Sequence, residues 1–103
     1  MVPAMLLVVG TIRLSPENLE RARPAMRRLV EATRQEDGCL AYNYSGDLLD
    51  PGLVHIDEIW TDQSKLDGHL KAPHVLEWRA VSPDFAIGDR NLHIYEISDS
   101  RPL

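Results

Sequence analysis

The chain has 103 residues, of which 44% are hydrophobic and 26% are charged, without a low-complexity tract or an internal repeat. This length and composition predict one globular domain over residues 1–103. The formal net charge of −5 argues against a nucleic-acid partner, because affinity for nucleic acid comes mostly from neutralising its phosphates.

The cellular location is indicated only indirectly. Cys39 is the single cysteine, so an internal disulfide is excluded and nothing favours an oxidising compartment. The apolar run at residues 5–9 follows no basic residue and is far too short to cross a bilayer. We therefore expect a cytoplasmic protein without a membrane partner.

The chain opens with a strand and a helix. Residues 5–14 carry β-branched and aliphatic side chains on both parities, which predicts a strand buried on both faces. Ser15, Pro16 and Glu17 are typical of a helix N-cap and first turn. The apolar stripe that follows predicts a helix, and we expect Gly38 to end it in the left-handed conformation.

The middle of the chain is typical of a hairpin. Residues 40–48 alternate in polarity, and the Asp-Pro-Gly sequence at residues 50–52 suits a tight turn. Residues 53–60 then return as the next strand.

A second helical segment and a last strand follow. Asp62 or Thr61 suits an N-cap, and Leu66 and Leu70 are expected on the inner side of the helix. Pro73 interrupts this helix, which then restarts. Residues 91–97 are predicted to form the last strand.

The element order βαββαβ predicts an α+β fold of ferredoxin-like layout, with an antiparallel sheet and both helical segments on one face. The other face would stay bare. Because the first strand is apolar on both parities, a bare face would expose a large apolar patch, and a second copy of the chain is its simplest cover. We therefore expect a homodimer.

Most motifs of known chemistry are absent: there is no glycine-rich phosphate loop, CxxC, HExxH or GxSxG sequence. His69 and His74 are five residues apart with Pro73 between them, so they do not form a metal pair on one regular helix turn, and no metal site is expected. Cys39 is interpreted as a packed structural thiol rather than a nucleophile.

Glu58 and Trp60 share a parity and should lie on the same face of their strand. They line a pocket, or else Glu58 is a satisfied buried acid beside a core tryptophan. His69 and His74 could both face the sheet from the helix layer, with satisfied, half-buried histidines as the alternative.

Several short segments then stand together in one order. They are Glu-Asp-Gly-Cys-Leu-Ala-Tyr at residues 36–42, Asp50-Pro51, Glu-Ile-Trp at residues 58–60, His69, and Pro73-His74. In this order and spacing the chain resembles the antibiotic biosynthesis monooxygenase (ABM) family, and its quinol-monooxygenase-like members in particular, from residue 5 to about residue 97. The resemblance implies a dimeric α+β barrel in which two sheets pack face to face and each subunit holds a pocket between its sheet and helices.

The family resemblance implies several possible activities. The first hypothesis is a cofactor-independent monooxygenase that oxidises a small quinol or polyphenol. The alternative is a non-catalytic or isomerase-type member that binds a small carbonyl metabolite. The haem-degrading branch of the family has an asparagine on the first strand, followed later by a tryptophan and an axial histidine. In this chain His69 stands at the position of that tryptophan, Arg79 stands at the position of the axial histidine, and the first strand has no asparagine. No haem cofactor is therefore expected.

For the oxygenase hypothesis, His74 is expected as the base that takes a phenolic proton, with His69 as a second base or as its orienting partner. A substrate-binding pocket would hold an aromatic or quinone-like ring, and its expected lining is Trp60, Tyr44, Trp78, Glu58 and Asn43. Asn43 and Tyr44 have opposite parity, so at most one of them points into the pocket.

Overall fold

The computed structural model describes residues 4–103 as a four-stranded antiparallel sheet with helices on one face. Its elements are β1 (Met5–Arg13), α1 (Pro16–Thr33), β2 (Cys39–Gly46), β3 (Leu53–Trp60), α2 (Gln63–Leu70), α3 (Pro73–Val81), a 3-10 turn (Ser82–Phe85) and β4 (Gly88–Ile97). The strand order is β2-β3-β1-β4, which confirms the predicted ferredoxin-like layout. Within residues 4–103, no helix is both long and apolar enough to cross a bilayer.

The N-caps follow the sequence signals. The hydroxyl of Ser15 accepts a hydrogen bond from the backbone N–H of Asn18 at 3.1 Å. The carboxylate of Asp62, rather than the hydroxyl of Thr61, accepts from the backbone N–H of Lys65 at 3.1 Å. Each cap satisfies a donor that the first turn of a helix leaves free.

One expectation about the helices is wrong. Helix α1 ends at Thr33 rather than at Gly38; Gly38, at φ +86°, instead shapes the turn before β2. Leu70 borders the space between the helices and the sheet, although it is 40% exposed. Leu66 is buried, and the next inward position three residues later is His69, because the short helix ends before a further apolar turn can form.

The core lies between the sheet and the helices. Alternate residues of β1, such as Leu6 and Val8, are buried against helix residues that include Leu29 and Leu66. A second cluster around Ile12, from the same face of the strand, continues this core toward the start of α1. The helix-facing side of the sheet is therefore covered within one chain.

The opposite side of the sheet has no covering element among residues 4–103. Strand register places Ala41, Ile59, Leu7 and Tyr95 side by side, which makes one apolar row across all four strands. Tyr95 in this row is 52% exposed. The expectation that β1 is buried on both faces is not met within one chain, since Val9 on the uncovered side is 37% exposed.

Replacing Gly10 by alanine should destabilise the fold, because a Cβ there would lie 1.8 Å from the carbonyl oxygen of Asn91 on β4. We expect the free energy of unfolding to fall by about 1–3 kcal/mol. Gly68 is the matched control: a Cβ there meets nothing within 4 Å, and alanine in helix α2 should add about 0.5–1 kcal/mol. Urea unfolding measures both variants, and an unchanged midpoint for Gly10→Ala would contradict this close approach of the strands.

Candidate active site

A cavity of about 550 Å³ lies between the helix-facing side of the sheet and helices α2 and α3. Most of its lining is aliphatic or aromatic, as at Val8, Leu29 and Trp78. The polar groups of the lining are the side chains of Glu58, His69, Arg79, Ser82 and Arg90 and the hydroxyls of Tyr42 and Tyr44. We call this space the sheet–helix cavity.

A second space, of about 600 Å³, lies between α1 and strand β2. Its charged lining residues are Arg23, Arg27 and Arg34, and no histidine or carboxylate borders it. Because proton transfer needs a group that titrates near neutral pH, the sheet–helix cavity is the better candidate site.

One carboxylate joins the two candidate histidines. Glu36 Oε2 lies 2.6 Å from His69 Nδ1 and 2.8 Å from His74 Nε2. A carboxylate can only accept hydrogen bonds, so both imidazoles donate to it. In the neutral form of His69 this leaves Nε2 as a free acceptor.

Burial and the carboxylate act in opposite directions on His69, which is only 4% exposed. Desolvation lowers the pKa of His69, while the hydrogen bond and charge of Glu36 raise it, and the net direction is down. His69 is therefore neutral near pH 7 and able to accept a proton.

The break between α2 and α3 makes the shared contact possible. His69 is the second-last residue of α2 and His74 the second residue of α3, with Pro73 starting the new helix. In one continuous helix, two residues five apart would be rotated by about 140° and could not reach the same oxygen. Glu36 comes from the turn after α1, where its N–H donates to Thr33 O at 2.9 Å.

Aromatic rings hold the imidazole of His69 in place. The ring centroid of Trp60 is 4.8 Å from that of His69, and that of Tyr42 is 5.3 Å away in an edge-on arrangement. Tyr42 stacks on Tyr44, and their hydroxyls are 3.5 Å apart. Burial raises the pKa of both tyrosines, so their hydroxyls remain protonated donors.

Glu58 and Trp60 lie on the same face of β3, as predicted, and bond each other. Trp60 Nε1 donates to Glu58 Oε1 at 2.9 Å. Burial raises the pKa of Glu58, and the bond from Trp60 only partly offsets this. Glu58 lines the cavity, whereas Trp60 is completely buried behind it.

Of the residues expected in the pocket, Tyr44, Trp78, Glu58 and His69 line the sheet–helix cavity. The other three expected residues, Trp60, His74 and Asn43, do not line this cavity. Trp60 is covered by its packing against His69.

The remaining differences concern His74 and Asn43. The imidazole of His74 turns toward Glu36 and lies between α1 and α3, outside the cavity lining. Asn43 points to the uncovered side of the sheet because it alternates with Tyr44, and it donates to Asp57 at 2.8 Å.

Sequence reasoning did not single out Glu36, Tyr42, Arg79 or Arg90 as site residues. Glu36 could have been predicted as a site residue, because a buried histidine needs a hydrogen-bond partner and Glu36 lies in the segment shared with the ABM family. Arg79 was noted only as the residue at the axial-histidine position of the haem-degrading branch, and Arg90 carried no signal, because which exposed side chains border a cavity depends on how the helices sit on the sheet.

Residues 5–81 match the sequence profile of the family described as antibiotic biosynthesis monooxygenase. The chain belongs to the ABM family. A crystal structure from Deinococcus radiodurans, named "putative antibiotic biosynthesis monooxygenase", is similar over 95% of this chain and 97% of that one, with 31% identity and a TM-score of 0.87. These matches agree with the resemblance noted from the short segments.

Two curated relatives extend the comparison. "Uncharacterized protein sll1783" of Synechocystis is 26% identical over 98 residues, which are 95% of this chain and 67% of the relative. "Putative monooxygenase Rv0793" of Mycobacterium tuberculosis is 38% identical over 63 residues, which are 57% of this chain and 61% of the relative. The chain thus spans about two thirds of the length of the curated relatives it matches.

Replacing Glu58 by glutamine should raise the melting temperature at pH 7. The raised pKa of Glu58 means that the folded state binds its proton more tightly than the unfolded state, so stability falls as pH rises through and above the ordinary carboxyl range. Glutamine removes the buried charge and keeps an acceptor for Trp60. Thermal melts at pH 7 and pH 4 measure this, and the gain should shrink at pH 4.

The control is Asp47→Asn, since a bond from His55 lowers the pKa of Asp47. Ionised Asp47 therefore stabilises the fold above the ordinary carboxyl pKa, so the Asp47→Asn variant should have a lower melting temperature than the wild type at pH 7. Equal changes in melting temperature for the two variants at pH 7 would contradict the assignment of Glu58 as a buried, unfavourable charge.

Proposed function

We propose that this ABM-family chain is a monooxygenase that oxidises a small quinol or polyphenol with dioxygen, and that His69 is its base. One observation carries the proposal: His69, with one nitrogen bound to Glu36, lines a largely apolar cavity. The monooxygenase names of its relatives support the same class of reaction.

The reaction balances with the substrate as the source of electrons. A hydroquinone and dioxygen give a hydroxyquinone and water: one oxygen atom enters a ring C–H bond, and the other leaves as water. All four electrons come from the ring, so the stoichiometry calls for no separate reductant. The protein's part is to bind the ring, take a phenolic proton and keep water out.

The first step assigned to the protein is proton transfer from the phenol to His69 Nε2. The phenolate formed is the species that can pass an electron to dioxygen. Glu36 stabilises the imidazolium through Nδ1, as a carboxylate does for the histidine of a catalytic triad. Both tyrosine hydroxyls line the cavity, and because the Tyr42 hydroxyl donates to that of Tyr44, the protonated Tyr44 hydroxyl is the one that can donate to the substrate oxyanion.

His74 has a positioning role in this proposal rather than the role of base that the sequence suggested. Its Nε2–H binds the same oxygen of Glu36, which holds the carboxylate in place against His69. His69 has the better position for the base because it borders the cavity and His74 does not.

We further propose that two copies form a homodimer through the uncovered side of the sheet. The apolar row formed by Ala41, Ile59, Leu7 and Tyr95 crosses all four strands, and no segment of residues 4–103 covers it. Two such rows facing each other would remove apolar surface from water at about 25 cal/mol per Å².

Replacing His69 by glutamine should lower kcat/KM for an accepted quinol by about 10²-fold or more, because the proton acceptor is lost. His74→Gln should lower it less, since Glu36 and His69 remain paired. Quinone absorbance and oxygen consumption measure turnover, and a thermal melt checks that each variant is folded. A greater loss of kcat/KM in His74→Gln than in His69→Gln would make His74 the base and His69 the positioning residue. Full activity in both folded variants would favour the binding-protein alternative.

The pH profile of kcat/KM should stay flat to below pH 6.5 and fall only in more acid solution, because burial lowers the pKa of His69 and the base must be unprotonated. Glu36→Gln should move this acid limb to still lower pH, since the bond and charge of Glu36 raise that pKa, and should also slow turnover. Glu31→Gln removes the same charge at an exposed site on α1 and should change neither. An acid limb that moves upward in Glu36→Gln would contradict the pairing.

Replacing Leu7 by glutamate should convert the dimer to a monomer, because it puts a charge into the centre of the apolar row. Leu49→Glu is the control: Leu49 is 89% exposed in the β2–β3 turn, away from that row. Sedimentation at micromolar concentration distinguishes the states. A wild-type chain that sediments as a monomer, or a dimeric Leu7→Glu, would rule out this interface.

A further inference from the structure

We propose that the ligand of the sheet–helix cavity is an aromatic ring that carries an anionic substituent such as a carboxylate, which Arg79 and Arg90 bind at the rim while the ring lies against His69. This inference rests on the proposed function for the chemistry at the ring. The recognition of the anion depends only on Arg79 and Arg90 at the rim, not on the oxidation of the ring.

The exposed lining residues define the rim. Arg79 comes from α3 and Arg90 from β4, so the two guanidinium groups enter the lining from the helix layer and from the sheet. Both residues are exposed, whereas Glu58 and His69 in the same lining are 7% and 4% exposed. A ligand that enters from solvent therefore meets the two cations before it reaches the base.

The charges of both arginines act into the cavity. Burial is the larger cause of the lowered pKa of His69, and the charge of Arg79 acts in the same direction. Burial raises the pKa of Glu58, and the charge of Arg90 opposes this rise. Each guanidinium is thus close enough to a group of the deep lining to affect its charge.

Neither guanidinium is committed to a carboxylate within the chain. Among residues 4–103, Arg79 and Arg90 form no ion pair, in contrast to four other arginines. Those four are Arg13, Arg23, Arg27 and Arg28, each paired with an aspartate or glutamate. A bound anion would satisfy the free donors, and a guanidinium fork suits a planar carboxylate.

The carboxylates near the cavity do not neutralise this rim. Glu58 is buried and accepts from Trp60, and Glu36 lies behind His69 and accepts from both histidines. In a chain of formal charge −5, two cations without an ion pair at the entrance of one cavity give a local positive charge that favours an anion. The largely apolar interior, of about 550 Å³, suits a small ring system.

The test compares 2,5-dihydroxybenzoate with 2,5-dihydroxybenzamide, which share the ring and differ in charge. Without oxygen, so that no turnover occurs, titration calorimetry should give the acid an affinity about tenfold higher. The preference should shrink in 0.5 M NaCl, fall in Arg79→Gln and in Arg90→Gln, and vanish in the double variant. Arg27→Gln, at an arginine paired with Glu31 on α1, should keep it.

Equal affinity for acid and amide, binding of neither, or a preference that survives in the double variant would overturn the inference. Turnover assays separate it from the proposed function. A preference for the acid without any oxidation would leave the anion site standing and the oxygenase proposal refuted. Oxidation of acid and amide with equal kcat/KM would leave the oxygenase proposal standing and refute the anion site.

Discussion

The carboxylate of Glu36 is the contact on which the rest of the site depends. It comes from the turn between α1 and β2 and binds the last turn of α2 and the first turn of α3. Hydrogen bonds to a charged group contribute about 1.5–3 kcal/mol each, and an unpaired buried imidazole donor would cost a comparable amount. The burial of His69 is therefore tolerable only because Glu36 is there.

The same contact requires the break in the second helical segment, which begins again at Pro73. A continuous helix would give better backbone hydrogen bonding, but it could not bring His69 and His74 to one oxygen. The break at Pro73 removes that conflict, because a proline starts a helix without loss of a hydrogen bond. The short helices that result cover the sheet incompletely, and the uncovered volume is the sheet–helix cavity.

Charge and polarity are arranged by depth around this cavity. Glu58 and His69 are deep and bonded to partners, whereas Arg79 and Arg90 lie at the exposed rim. Desolvation disfavours the charged form of a deep group, which keeps His69 neutral near pH 7. The rim cations pay no such penalty because water still reaches them. A single opening can therefore combine a neutral base with a positively charged entrance.

The sequence by itself determined the order of the elements, the N-cap at Ser15, and the shared face of Glu58 and Trp60, because each follows from contacts within a few residues; it narrowed the second N-cap to Thr61 or Asp62. It also separated Tyr44 from Asn43, since strand alternation is fixed by the backbone. Only the tertiary structure decided which histidine borders the cavity. That choice depends on bonds to Glu36, which is 33 and 38 residues away along the chain, and on how the helices sit on the sheet. A local pattern can place a side chain on a face, but long-range packing decides whether that face is open, covered or paired.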